Sequence, residues 1–296
     1  MDIQRILTQI ERENAAKKQM MFTLWDVGHG LSIWIQTPNG HNHWIDAGWY
    51  PETGFCPAHH VRHHYGETEL DYLVISHPDL DHLHNLPKII EHLGKPRVLR
   101  RNKSLPDREK FGDEQHEYQK KYKELDGSYG GGIEWSENPR NPDYNGGVTI
   151  EASCLSYREG MNKNNTSIVM FYSYKGWLFC FPGDIEEAGW LEFWSKYASD
   201  FQPLIDGATY RILVAPHHGR QSVYCQDMMD TIDPAMVLIS DKYGMEPTHD
   251  SFRTKPNGIA WTTGEKKFLS TKTGGRIQFT VKGDGQCNYS QAPTAS

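Results

Sequence analysis

Residues 70–82 read LDYLVISHPDLDH. Tyr72 to Ile75 form an unbroken apolar run, the pattern of a strand covered on both faces. The run stops at His77-Pro78-Asp79-Leu80-Asp81-His82, which sets four ligand-type side chains within six residues. If the chain curls into a helix start there, His77 and Asp79 face one pocket while Asp81 and His82 face a neighbouring one. Imidazole with carboxylate, and no thiolate, suits Zn, Mn or Fe. The structural alternative makes Asp79 or Asp81 a helix N-cap and leaves the histidines on the surface.

Two more apolar runs end in the same way. WLFCFPGD (177–184) delivers Gly183-Asp184, and RILVAP (211–216) delivers His217-His218-Gly219. Alone, Asp184 reads as a cap for a helix starting at Ile185, and a lone His pair reads as a surface accident. Three ligand-bearing strand ends can instead converge on one edge of a sheet sandwich, where loops carry function.

Around these motifs the pattern alternates strands and helices. Ile3, Leu7 and Ile10 mark an amphipathic helix over residues 3–19, a surface for a partner or for self-association. Three short strands follow, with Asn39-Gly40 in a hairpin turn. Residues 57–66 suggest a short helix whose His59, His60, His63 and His64 form i, i+4 pairs. Such pairs can bind metal, but their place ahead of the site strand favours an incidental role. Residues 102–147 form a polar insertion with one charged helix at about 113–125. Residues 21–285 then make one domain, and 286–296 read as a flexible tail.

Composition narrows the class. The chain has 296 residues, 15 His and a net charge of −7, which argues against general coating of nucleic acid. Lys88 to Lys123 nevertheless holds 11 Lys/Arg against 6 Asp/Glu, a local +5 that fits a solvated helical face or a phosphate-binding patch equally well. The 5 Cys are far apart with no CxxC, which points to reduced thiols. Neither a signal peptide nor a membrane-length apolar run is evident, so a cytoplasmic protein that does not engage membrane is expected.

In order along the chain come DVGHG (26–30), IDAG (45–48), SHPDLDH (76–82), NNTS (164–167), FPGD (181–184), APHHG (215–219) and FLSTKTGGRIQF (268–279). With these the chain resembles the metallo-β-lactamase fold, over residues 21–285. The branch is the one typified by the C-terminal domain of ComEC, the bacterial DNA-uptake channel protein, with phosphorylcholine esterase nearby. The resemblance implies an αββα four-layer sandwich with two divalent ions, Zn or Mn, at one edge. His77 and Asp79 would hold one ion, Asp81, His82 and His218 the other, and Asp184 would bridge them. Asp81, Asp184 and His217 would be catalytic. His217, Asn164, Asn165, Ser167 and His249 would touch substrate or support the site; the order of His217 and His218 could be reversed. Leu31 stands where relatives carry Asp, so an orienting role passes to Asp26 or Asp46. A further His between the first motif and FPGD has no counterpart, leaving one ion more weakly held.

The implied activity is phosphodiester hydrolysis, with a nuclease first, by a hydroxide held between the two ions. The alternatives are a small-molecule hydrolase (phosphocholine-type ester, nucleotide or lactone) with a pocket lined by Trp25, Trp49 or Trp135, and a non-catalytic metal-bound scaffold.

Overall fold

The computed structural model describes residues 18–242 and 244–293. The helix expected over 3–19 lies outside the described residues except for Lys18 and Gln19, and Gln19 already begins a strand.

Alternating apolar residues build two sheets. The first comprises β1 (Gln19–Leu24), β2 (Ser32–Gln36), β3 (Asn42–Ala47), β4 (Tyr72–Val74) and β5 (Val98–Arg100). The second comprises β6 (Thr149–Ser153), β7 (Val169–Tyr174), β8 (Trp177–Phe181), β9 (Tyr210–Val214) and β10 (Met236–Ile239). A small hairpin of β11 (Ile259–Trp261) and β12 (Gly264–Lys266) precedes β13 (Phe268–Ser270), β14 (Arg276–Lys282) and β15 (Cys287–Ala292). The first sheet has the order β15-β14-β1-β2-β3-β4-β5 and the second β13-β10-β9-β8-β7-β6. The strands that lead into the ligand motifs, β4, β8 and β9, each run parallel to a neighbour, so those motifs emerge at strand C-termini.

Period-two burial sorts every strand between two cores. Phe22, Ile33, Ile45, Val74, Phe179 and Ile212 turn inward between the sheets. There Phe22 stacks on Phe179 at 5.0 Å and on Phe181 at 5.5 Å. The opposite residues, such as Trp34, Trp44 and Leu73, face an outer layer of helices. That layer holds α1 (Pro57–His60), α2 (Leu80–Leu83), α3 (Leu86–Leu93), α4 (Asp107–Phe111) and α5 (Glu117–Ser128). On the far side, Leu178, Leu213 and Val237 pack on α6 (Glu187–Asp206), α7 (Gln226–Ile232) and α8 (Ser251–Thr254). The result is the αββα sandwich, with three cores and four layers.

Two expectations are corrected. Residues 286–296 are not simply a flexible tail: β15 pairs antiparallel with β14 from Val281↔Cys287 to Arg276↔Ala292. An edge strand needs only one buried face, so the polar sequence CNYSQA still satisfies the open edge of β14. The polar insertion is better ordered than a long loop, because Phe111, Tyr122 and Leu125 bury against the first sheet's outer core. The basic residues of the Lys88–Lys123 stretch are largely engaged: Arg101 and Lys110 pair with Asp126, Lys95 and Lys121 with Glu124, and Lys123 with Glu114. The local positive charge is therefore mostly an ion-paired helical surface.

Between the sheets, His43 is fully buried with Nδ1 3.2 Å from the Tyr172 hydroxyl. Burial pushes its pKa down to about 3. In the unfolded chain the ring binds a proton near pH 6.5 and in the folded chain it does not, so stability falls as pH drops from about 6.5 towards 3. Urea unfolding of the metal-free protein should show this slope, and His43→Gln should flatten it by about 1.4 kcal/mol per pH unit. An unchanged slope in the variant would mean that His43 is not the group that titrates.

Candidate metal centre

The first motif is organised around Asp46 at the end of β3. Its carboxylate accepts the Ser76 backbone N–H at 2.7 Å and the Ser76 hydroxyl at 2.6 Å. His82 Nδ1 lies 2.7 Å from the same carboxylate, whose side chain is fully buried. A buried carboxylate needs such donors to remain ionised. By accepting a hydrogen bond from Nδ1–H, Asp46 leaves His82 Nε2 free to act as a ligand. Of the two orienters expected from sequence, the structure thus places Asp46 in the role, while Asp26 faces the Gly28 N–H.

Glycines set the depth of the next ligand. A Cβ at Gly30 or Gly48 would collide with the Asp81 carbonyl, which accepts the Leu31 N–H at 3.1 Å. Only bare backbone lets the DVGHG and IDAG turns close on the Asp81 loop. Gly183, with φ +60°, lies so near Ser167 that a Cβ would sit 2.8 Å from its Cβ. The Ser167 hydroxyl then accepts the Asp184 N–H at 3.2 Å. Both His217 (φ 47°) and His218 (φ 60°) are left-handed, a strain of order 1–3 kcal/mol each that aims two rings from one short loop.

These loops bring Asp81, His82, Asp184 and His218 together, with ligand atoms all within 4.8 Å of one another. His218 Nδ1 lies 3.1 Å from the Ser240 carbonyl, and its Nε2 faces Asp81 at 3.1 Å. That arrangement places His218 in the cluster. His217 stands beside it, with Nε2 3.6 Å from Asp184. His77 Nε2 lies 3.8 Å from the same Asp184 oxygen that His217 and His218 approach, and 3.5 Å from Asp79.

The donor set fits cations. The buried Nε2 atoms of His77 and His82 have no aligned hydrogen-bond partner, although carboxylate oxygens lie 3.2–3.8 Å away. Imidazoles and carboxylates that approach without bonding are what shared divalent ions require. Burial pushes the Asp184 carboxyl up, but the His82 and His77 rings outweigh it and hold Asp184 well below the usual carboxylate range. Asp81 is likewise lowered against its burial, chiefly by His82 and His218. Burial opposes charge on His82 too, yet Asp184, Asp46 and Asp81 together raise its pKa well above 6.5. The centre is an anionic cluster in which the carboxylates favour the charged form of His82.

The remaining expected residues divide. Asn165 accepts the Glu186 N–H at 2.9 Å and packs on Gly189, which ties it to the start of α6. Ser167 is likewise buried and committed to Asp184, so both support the site from behind. Asn164 stays half-buried, 3.4 Å from Glu186. His249 stacks on Tyr224 at 4.0 Å and donates its backbone N–H to Gly219, so it braces the His217–His218 loop. Trp25 is fully buried against Phe55 and cannot line a pocket, whereas Trp135 is 60% exposed. The Trp49 Nε1–H is spent on the Phe55 carbonyl.

Sequence reasoning missed three residues. His29 Nε2 sits 3.2 Å from Asp81. Arg220 bridges His217 at 2.8 Å and His29 at 3.0 Å. Lys163 pairs with Asp79. His29 lies inside DVGHG, Arg220 directly follows APHHG and Lys163 directly precedes NNTS. That proximity to motifs was the only signal.

The fold and this candidate metal centre define the class to which the chain belongs. A family model for the metallo-beta-lactamase superfamily matches residues 25–228, and the chain belongs to that superfamily. A relative in the ComEC-like branch is competence protein ComA of Neisseria gonorrhoeae, 24% identical over 277 residues. The match covers 90% of this chain but 33% of that protein, so the chain spans about a third of its relative's length. Among the described residues no helix is long and apolar enough to cross a membrane.

If Asp46 orients His82 for an ion, Asp46→Asn should weaken metal binding about 10- to 100-fold in chelator competition. Equal affinity in the variant would remove Asp46 from the account.

Proposed function

We propose that the chain is a phosphodiesterase acting through two divalent ions, with nucleic acid as the first substrate class. The observation that carries this reading is the donor set: three carboxylates and three imidazoles, with Asp79, Asp81, His77, His82 and His218 gathered around Asp184. Carboxylate-rich sites favour harder ions such as Mn, with Zn also accommodated. Asp81, His82 and His218 with Asp184 would hold one ion, and His77 and Asp79 with Asp184 the other. When bound, such ions lower the pKa of water and neutralise developing phosphoryl charge.

The chain's own residues supply the rest. Arg220 donates to His217 and His29 at the rim, which presents a guanidinium edge and two imidazoles to an approaching phosphodiester. Burial lowers the His217 pKa, and Arg220 donates a hydrogen bond to its Nε2, so a neutral ring sits 3.6 Å from Asp184. His217 is suited to contact a phosphoryl oxygen through its remaining Nδ1–H. Lys163 adds a second cation at Asp79. It also competes with an ion for that carboxylate. The His77–Asp79 side therefore binds metal more weakly than the Asp81 side, in keeping with the further His that the sequence lacks.

The likeness to a competence protein and to the ComEC branch supports DNA as the phosphodiester. Five free cysteines fit a reducing compartment, and we place the protein in the cytoplasm. The buried Trp25 gives no support to an aromatic pocket for a small ester.

Protein purified without chelator should carry about two metals per chain and hydrolyse bis-p-nitrophenyl phosphate with added Mn. Asp184→Ala should abolish turnover. Arg220→Ala should lower kcat/KM by roughly 10- to 100-fold, the scale of a lost charge-assisted hydrogen bond. Cleavage of single- or double-stranded DNA that weakens steeply with salt would establish nucleic acid as the substrate class. A metal-loaded protein that turns over no phosphoester would leave the scaffold reading in its place.

A further inference from the structure

A second group of histidines lies away from Asp184, on the helical layer outside the first sheet. His59 sits in the last turn of α1, and the chain continues as a π turn over Val61–Tyr65 that carries His63. His92 lies at the C-terminal end of α3. Ala58, Val61, Ile89 and Leu93 bury the inner sides of both segments in one core, which fixes the backbones against each other. Arg62 ties them further by donating to the His92 carbonyl at 3.0 Å.

The spacing of the rings is informative. Centroids are 4.2 Å apart for His59 and His63, 5.3 Å for His59 and His92, and 6.2 Å for His63 and His92. Three imidazoles bound to one tetrahedral ion at about 2.1 Å place their centroids about 5 Å apart. Among the described residues, none of these three rings has a hydrogen-bond partner. His59 and His63 are exposed and free to turn their nitrogens inward. Burial lowers the His92 pKa, which keeps that ring in the neutral form a metal requires. His60, on the next stripe, is excluded because its Nε2 accepts from Arg276 at 3.1 Å.

We propose that His59, His63 and His92 form a second metal site, a three-imidazole site for a borderline ion such as Zn, Ni or Cu. Its chemistry differs from the centre around Asp184. Without a carboxylate it does not suit Mn or Mg, whereas neutral imidazoles suit the later transition metals. Water completes the shell at the exposed side. Two of the rings must reorient, so it binds more weakly than the preformed cluster of Asp81, His82, Asp184 and His218. An ion here joins α1 to α3, the helix that follows the His77–His82 motif. The site needs no catalytic assumption and stands or falls apart from the phosphodiesterase reading.

The test compares the wild-type chain with a His59→Gln/His63→Gln double variant and with His92→Gln. Melting curves by circular dichroism establish that each is folded. Native mass spectrometry after Zn addition should count one more Zn on the wild type than on either variant. Pulsed electron paramagnetic resonance with added Cu should show a three-imidazole signal that is lost in both variants. Mn-supported hydrolysis of bis-p-nitrophenyl phosphate should be unchanged in all three proteins. Equal Zn counts in wild type and both variants would overturn the proposal. So would a count that falls in the double variant and not in His92→Gln, since that describes a two-histidine surface pair.

Discussion

The centre depends on how one buried charge, that of Asp46, is satisfied. It lies at the C-terminal end of β3 with φ 55° and side chain fully enclosed, where an uncompensated carboxylate would cost several kcal/mol. Two donors from Ser76 and the His82 ring meet that need. In doing so they lock β3 to the turn after β4 and choose which nitrogen of His82 faces Asp184. Stability and function are therefore linked at one point: the contacts that make Asp46 tolerable in the interior are those that aim a ligand. Gly30 and Gly48 make this possible from outside by letting their turns press on the Asp81 carbonyl.

Charge explains why the arrangement suits cations. Asp46, Asp79, Asp81 and Asp184 crowd one sheet edge, and the pKa values of half-buried Asp81 and buried Asp184 are both lowered. Without metal, the nearby imidazoles and Lys163 must answer that charge. A dication answers it better, with shorter contacts and no cost of protonating a buried ring. At the rim, the Arg220 guanidinium ties His217 to His29. The long basic stretch after Lys88 adds little to this, since most of its side chains pair with nearby acids.

Much of the fold was legible because both sheets obey a period of two and each ligand motif ends an apolar run. His77, Asp79, Asp81 and His82 could be read as candidate ligands because a strand end followed by clustered donors is hard to produce by chance, whereas Asp184 and His218 became candidates through the resemblance. The structure added what short-range pattern cannot hold. Arg220 reaches His29 across 191 positions, and nothing local in either segment announces that meeting. Asn165 and Ser167 resemble substrate contacts by type, yet their oxygens are used by backbone N–H groups of the Asp184 loop. β15 was misread because an edge strand is polar on one face, so its alternation resembles that of a tail.

The most direct test of the central claim, that Asp184 is shared by two ions, is anomalous diffraction from crystals grown with Mn. Two peaks about 4 Å apart on either side of Asp184 are predicted, one reached by Asp81, His82 and His218 and the other by His77 and Asp79. A single peak away from Asp184, or none in this cluster, would contradict the account.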